Sequence, residues 1–248
     1  MAGHSKWKGI KHKKAIVDAA RSKAFSKVIR EITVAARTGG DPEANPRLRL
    51  AVIKAREVNM PKDTVDKAIK RGTGDLPGVS YEEGFVEAYG PGGVAILVET
   101  LTDNKNRTSS DLRSILTNNG GSSAGAGAVS WLFQKKGVIV VNMAGQDEEK
   151  LMEIVLEAGA EDLRVEDGQA TITTTLQTLE PVKQALQSKK IPVESSELTM
   201  LPTNTVRIEN PDTAKQLLNL LDLLDEHDDT QHVYANFDIP DAILAQQA

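Results

Sequence analysis

The stretch Gly72-Thr-Gly-Asp-Leu-Pro-Gly-Val-Ser80 separates two kinds of sequence within a 248-residue chain. Before it, apolar residues recur at helical spacing; after it they fall into short β-type runs. Gly72, Gly74, Pro77 and Gly78 interrupt both patterns, so a domain boundary is expected there. The charge changes sign at the same place. Residues 1–71 hold 18 Lys or Arg against 7 Asp or Glu, a net +11, whereas residues 72–248 hold 12 against 28, a net −16, and together they give the overall −5. A unit of +11 is the electrostatic footprint expected of a polyanion binder, because each phosphate it neutralises releases condensed counterions.

Moving outward toward the N-terminus, Lys62, Lys67, Lys70 and Arg71 lie on the outer side of a helix that begins near Pro61, carries Val65, Ala68 and Ile69 inward and is closed by Gly72. An earlier helix is announced by Asn45-Pro46 and runs through Leu48, Val52 and Ala55 until Met60-Pro61. A third carries Phe25, Val28, Ile29, Ile32 and Ala36 on one face. At 100° per residue, its Lys23, Lys27, Arg30 and Arg37 project within about 40° of the direction opposite Ile32, which predicts a basic solvent face. The helix phase does not extend unchanged through the first twenty residues, so these are expected to act as an arm. Within it, Lys6, Lys8, Lys11, Lys13 and Lys14 supply phosphate contacts, accompanied by Trp7 and His12. Trp7 either stacks on an unpaired base or anchors the arm against the helices. His4 and His12 lack further ligands at metal spacing.

Outward toward the C-terminus, residues 85–89 and 94–101 flank Gly90-Pro-Gly-Gly93 as a β-hairpin, followed by a helix over 106–118. The Gly-rich segment 120–127 lacks the spacing and lysine of a phosphate-binding loop and is expected to be a flexible connector. Residues 138–200 then read strand, helix, strand, turn, strand, helix, strand, the order of a ferredoxin-like sandwich. A strand, a Leu-rich helix over 211–226 and a further strand complete the earlier hairpin unit, with Leu217, Leu220, Leu221 and Leu224 as its core face. The expected fold class is therefore α+β: an N-terminal three-helix basic domain (1–75), a discontinuous α/β sandwich-like domain (80–134 with 203–240) and a ferredoxin-like α/β domain (135–202) inserted in it. Asp147, Glu148, Glu149, Glu153, Glu157, Glu161 and Asp162 give the insert an acidic exterior, either a solvated helix face or a docking surface for a basic protein. Asp103, Asn104 and Arg107 form a polar cluster suited to turn formation and helix capping.

With 40% apolar and 26% charged residues the composition is that of a folded globular protein. The absence of cysteine removes disulfides, thiolate metal sites and cysteine nucleophiles. No hydrophobic run reaches the ~18 residues that would span a bilayer, so the cytoplasm is the expected compartment and no membrane partner is expected. There is no Ser/His/Asp order, HExxH, paired-carboxylate motif or dinucleotide fingerprint, so neither an enzyme nor a cofactor or small-molecule substrate is expected.

Ala2-Gly-His-Ser-Lys-Trp-Lys8, Ile10-Lys-His-Lys-Lys14, Ile29-Arg-Glu-Ile32, Asn45-Pro-Arg-Leu48, Asn59-Met-Pro-Lys62, Ala68-Ile-Lys-Arg-Gly72, Tyr89-Gly-Pro-Gly-Gly93, Asp103-Asn-Lys-Asn-Arg-Thr108 and Trp131-Leu-Phe133 together closely resemble the YebC family over essentially the whole chain. The resemblance implies three domains, one helical and two α/β, of which one is discontinuous. It also implies regulation of gene expression, since members are described as transcriptional regulators while mitochondrial relatives look like translational activators and others are tied to ribosomes. By position it points to Lys6, Trp7, Lys11, His12, Lys13 and Lys14, with Arg30, Lys62 and Arg71 behind them.

Two functions follow as expectations. A DNA-binding transcriptional regulator would need base-edge contacts, for which Arg30, Arg47 and Arg49 are the candidates. A ribosome-associated translation factor would use Trp7 and the lysines on structured ribosomal RNA by shape, phosphate and stacking. In either case the nucleic-acid-binding set comprises Lys6, Trp7, Lys8, Lys11, His12, Lys13, Lys14, Lys23, Lys27, Arg30, Lys62, Lys70 and Arg71.

Overall fold

The computed structural model describes residues 18–166, 168–240 and 242–244, with side chains described from residue 23 onward. Three helices come first: α1 (Asp18–Ala35), α2 (Pro46–Glu57) and α3 (Lys62–Thr73). Helical backbone is thus already in place at Asp18, inside the segment expected to be an arm. The phase of the apolar stripe limits which residues can be buried, but Ala19, Ala20, Arg21 and Ala24 are strong helix formers and need no buried stripe to continue the turn. Ile32, Ala35, Leu48, Ala51, Ala55 and Ala68 form the core of the three helices, with Phe25, Val28 and Ile29 packed at its margin. Its many alanines bring the helices close together at the expense of apolar area.

Asn45 ties this unit together. Its carbonyl accepts from Leu48 N at 3.1 Å as the N-cap of α2, with Pro46 in the first turn, where a missing N–H costs nothing. Its amide donates to the carbonyls of Ala35 (2.7 Å) and Gly39 (2.8 Å), acceptors left over at the end of α1. Gly72 does not close α3; Gly74 does, in the left-handed region at φ 88°. Gly72 lies within the last turn against α1, where a Cβ would strike the Thr33 carbonyl and come 2.6 Å from Ala36 Cβ. It is there for close helix approach, a role that a glycine near a helix end signals no differently from a cap.

After Ser80 the chain forms β1 (Glu82–Tyr89), β2 (Ala95–Thr102), α4 (Lys105–Asn118) and β3 (Ser122–Ser123). β1 and β2 pair antiparallel from Glu82↔Thr102 to Tyr89↔Ala95, and the turn between them places Gly92 and Gly93 at φ near +75°, which only glycine adopts without strain. The chain returns much later with β8 (Val206–Arg207), α7 (Pro211–Glu226), β9 (Thr230–Ala235) and β10 (Phe237–Asp238). The sheet order is β3-β1-β2-β9. Ala88, Ile96, Val98 and Val233 from the sheet pack with Leu112 and Leu116 of α4 and Leu217, Leu220, Leu221 and Leu224 of α7.

The Gly-rich segment is more than a connector. β3 pairs with the outer edge of β1, and the buried Glu87 carboxylate accepts from the backbone N–H groups of Gly127 (2.6 Å), Val129 (2.6 Å) and Ser130 (2.9 Å). Burial pushes the Glu87 carboxyl up, but these N–H donors outweigh it and hold it below the ordinary glutamate value.

Contacts divide the chain into two compact units, residues 1–131 with 204–248, and residues 132–203. The second contains β4 (Phe133–Asn142), α5 (Glu148–Glu157), β5 (Ala160–Glu166), β6 (Gln169–Thr174), α6 (Leu179–Ser188) and β7 (Val193–Pro202). Its antiparallel sheet has the order β5-β6-β4-β7, and Leu151, Val155, Val182 and Leu186 bury the two helices against Ile139, Val141 and Ile172. Asp147 caps α5 by accepting from Glu149 and Lys150 N–H, while Glu148, Glu149, Glu153, Glu157 and Glu161 stay exposed.

Asn45→Ala removes a cap and leaves the Ala35 and Gly39 carbonyls without their donor. It is expected to destabilise the protein by about 2–4 kcal/mol, read as a lower denaturation midpoint, whereas loss of the cap alone would cost only about 1 kcal/mol.

Candidate nucleic-acid interface

The basic residues of α1 and α3 fall into two groups, and Lys54 and Arg56 in the last turn of α2 are exposed as well. Lys62, Lys67, Lys70 and Arg71 on α3 are exposed, as is Lys23 on α1. Asp63 and Asp66 share the exposed side of α3 one turn before Lys67 and Lys70, so its net positive charge lies toward the C-terminal end, with Lys70 and Arg71 in the last turn. Cations at a helix C-terminus also complement the helix dipole. Among the described residues none of Lys62, Lys67, Lys70 and Arg71 forms an ion pair.

Lys27 and Arg30 belong to the second group. The wheel gave their direction correctly but not what lies there: the acidic end of α7 and the segment leading to β9. Lys27 Nζ donates to the Asp225 carbonyl at 2.7 Å and lies 3.6 Å from its carboxylate. Arg30 pairs with Asp229 at 3.1 Å, donates to the Asp228 carbonyl and lies over the Tyr81 ring at 5.7 Å. Its side chain is only 16% exposed. This part of the predicted solvent face is therefore a docking face within the molecule. Arg47 and Arg49 are also engaged, Arg47 with Glu31 and Glu83, Arg49 with Glu43 and the Pro42 carbonyl.

Asp229, which the sequence did not single out, is the focus of this docking. Its buried carboxylate receives Arg30, Arg107 Nη2 (2.9 Å), Thr108 Oγ1 (2.7 Å) and Thr102 Oγ1 (3.1 Å). The Asp103, Asn104 and Arg107 cluster supplies one side of it. Asn104 caps α4 by accepting from Arg107 N at 3.1 Å, Asp103 pairs with Arg107 at 2.7 Å, and Arg107 reaches on to Asp229. Burial pushes the Asp229 carboxyl up, but the hydrogen bonds from Arg107 and Thr108, the Arg30 charge and the Thr102 hydroxyl together hold it below the ordinary value. Around this point opens a cleft of about 650 Å³, lined among others by Lys23, Arg30, Tyr81, Asp111 and His227.

Lys6, Trp7, Lys8, Lys11, His12, Lys13 and Lys14 lie outside the described residues. Among the described residues no helix is long and apolar enough to cross a membrane, and no three His, Asp or Glu side chains converge as a metal site.

The family described as "TACO1/YebC protein N-terminal domain" matches residues 5–75, and "TACO1/YebC second and third domain" matches residues 81–237. The chain belongs to the TACO1/YebC family. Curated relatives in this family include a protein of Syntrophobacter fumaroxidans, 53% identical over 98% of both chains, and one of Natranaerobius thermophilus, 52% identical over 98% of this chain and 99% of its own. A third, from Halothermothrix orenii, is 51% identical over 99% of this chain and 98% of its own. Each carries the name "probable transcriptional regulatory protein". The crystal structure of a conserved hypothetical protein from Aquifex aeolicus is similar at a TM-score of 0.79, with 45% identity over 91% of this chain and 93% of that one. The TACO1/YebC assignment therefore covers the basic helices and both α/β portions, and places the Asp229 network within the matched region.

Because the folded Asp229 is depressed, the stability it adds is fully present above the unfolded value of about 3.9 and is lost as pH falls through the lower folded value. Asp229→Asn is expected to cost about 3 kcal/mol at neutral pH, since it leaves the nearly buried Arg30 without its carboxylate and Arg107 with Asp103 alone. The difference from the parent should shrink below about pH 4. Chemical denaturation between pH 2 and 7 measures both effects, and an equal midpoint at pH 7 would show that the network does not hold the helix in place.

Proposed function

We propose that this protein is a non-enzymatic, cytoplasmic regulator of gene expression that binds nucleic acid through its N-terminal helices, with transcription as the regulated step. The observation that carries the reading is the basic C-terminal half of α3, where Lys67, Lys70 and Arg71 stand exposed in a segment whose net charge is +11. The names of the relatives agree with it. In this reading residues 1–75 form the gripping domain, residues 80–134 with 203–240 the platform that holds it, and residues 135–202 a ferredoxin-like insert. Lys23, Lys62, Lys70 and Arg71 contact phosphates, joined by Lys6, Lys8, Lys11, His12, Lys13 and Lys14, while Trp7 stacks or anchors. Lys27 and Arg30 join them only by exchanging an Asp carboxylate or carbonyl for a phosphate.

The engagement of Arg30, Arg47 and Arg49 favours a second reading, in which the target is structured RNA, including that of the ribosome. Those three side chains are the candidates for reading base edges, and each is already held by acidic or carbonyl partners. Recognition by phosphate position and groove shape needs no such donors and suits A-form RNA.

In-cell crosslinking with sequencing of all recovered nucleic acid separates the two: promoter DNA supports the first, a confined ribosomal RNA site the second, and nothing above background removes both. In titrations, about six phosphate contacts correspond to a loss of roughly 10³ in affinity between 50 and 200 mM salt. Replacing Lys62, Lys70 and Arg71 together with Ala should lower the salt slope by roughly 2 to 3, and an unchanged slope would rule out α3 as the contact.

A further inference from the structure

Two helices carry apolar side chains on the side turned to solvent. On α2, Leu50 is 51% and Ile53 42% exposed; on α5, Met152 is 37% and Leu156 48% exposed. At 100° per residue Leu50 and Ile53 lie about 60° apart, opposite the buried Leu48, Ala51 and Ala55. Met152 and Leu156 lie about 40° apart, beside the exposed Glu149 and Glu153 rather than among the buried Leu151 and Val155. Each pair spans close to one turn, about 4.5 Å and about 6 Å along the axis, so the two make short ridges of similar length. One exposed apolar residue is ordinary on a surface, but two on one helical stripe form a seam of the kind that packs against another helix.

The charges flanking the two seams are opposite. The one acid of α2 is Glu57, against Arg47, Arg49, Lys54 and Arg56. Arg47 and Arg49 are held by Glu31, Glu83 and Glu43. Lys54 and Arg56 are exposed, form no ion pair among the described residues, and project on either side of Leu50 and Ile53. On α5 the pattern is reversed: its one cation, Lys150, lies 3.7 Å from the Asp147 carboxylate, whereas Glu149 and Glu153 project within about 60° of Leu156 and form no ion pair among the described residues. A phosphate is repelled by α5, and residues 1–17, with five lysines and no acid, are repelled by the basic rim of α2. We propose that α2 of one molecule docks on α5 of a second copy, Leu50 and Ile53 against Met152 and Leu156, with Lys54 and Arg56 facing Glu149 and Glu153. Because the two patches differ, the contact is heterologous: a pair joined this way leaves one α2 and one α5 unused, so further copies add until a ring closes. The seams are small, so the association is weak and salt-dependent. It is independent of the proposed phosphate grip, which uses Lys23 and α3.

The test is sedimentation velocity on the full-length chain, freed of nucleic acid by nuclease, from about 10 μM to about 1 mM. The parent should show a sedimentation coefficient that rises with concentration, and the rise should shrink between about 50 and about 500 mM salt. Lys54→Glu with Arg56→Glu, and separately Glu149→Lys with Glu153→Lys, should each weaken association roughly tenfold or more, because like charges then face each other. All four positions are exposed, so the circular dichroism of both variants should match that of the parent. An equimolar mixture of the two variants should associate as the parent does, since the acidic α2 of one then meets the basic α5 of the other. A parent that stays monomeric over the whole range overturns the proposal, as does an association that both variants retain. Failure of the mixture to recover what each variant has lost overturns it too, and so does assembly seen only before nuclease treatment.

Discussion

The carboxylate of Asp229 is a buried charge that receives two guanidinium groups and two hydroxyls from three parts of the chain: α1, the end of β2, and the start of α4. At about 3 Å in an effective dielectric near 20, the Arg30–Asp229 pair is worth on the order of 5 kcal/mol of attraction before desolvation is counted, while the exposed Arg107 is screened by solvent. Desolvation removes several kcal/mol per ion, so the net gain over an apolar cluster is small. What the arrangement supplies is orientation. An apolar patch could slide by a residue with little loss, whereas a carboxylate that needs Arg30 on one side and Arg107 on the other accepts one placement of α1. The three-helix core, built largely of alanine and a few larger side chains, has little area with which to fix that placement otherwise.

This changes what the charge division along the chain means. The acidic majority is not only a solvated surface, because Asp225, Asp228 and Asp229 face the basic helix and neutralise part of it. The +11 of the first 71 residues is accordingly not all available to an external polyanion. Among the described residues, the cations of this segment that stay exposed without an acidic partner include Lys23 on α1, Lys54 and Arg56 on α2, and Lys62, Lys67, Lys70 and Arg71 on α3. A nucleic-acid phosphate approaching Arg30 would compete with a carboxylate already in place, and would have to match both its charge and its two arginine and two threonine donors.

The parts of this structure that the sequence revealed are those decided within a few residues. Asn45-Pro46 announces a helix start because an N-cap side chain and a first-turn proline act locally, and Gly92-Gly93 marks a turn because its backbone needs positive φ. The Leu face of α7 is legible because a buried stripe has a fixed period. Gly72 was read as a cap because glycine near a helix end has two meanings, and only the presence of Thr33 and Ala36 39 and 36 positions earlier decides between them. Glu87 was invisible for a similar reason: an acid on an alternating strand signals solvent, and its backbone donors lie 40 to 43 residues further on. Arg30 and Lys27 were placed on the right face of α1, but their partners are 198 residues away in sequence. Pattern gives direction, and long-range charge pairing decides what occupies it.

Recognition by this molecule has to be considered with those commitments in place. An arginine reads guanine through two parallel donors, and Arg30, Arg47 and Arg49 have theirs directed to carboxylates and carbonyls of their own chain. Freeing any one would leave an acid behind, buried in the case of Asp229, at a cost comparable to what a good base contact returns. The lysines of α3 are point charges on flexible stems, suited to phosphates and poor at bidentate readout. In the proposed reading, discrimination between targets therefore falls to geometry: where phosphates are spaced to meet the α3 turn.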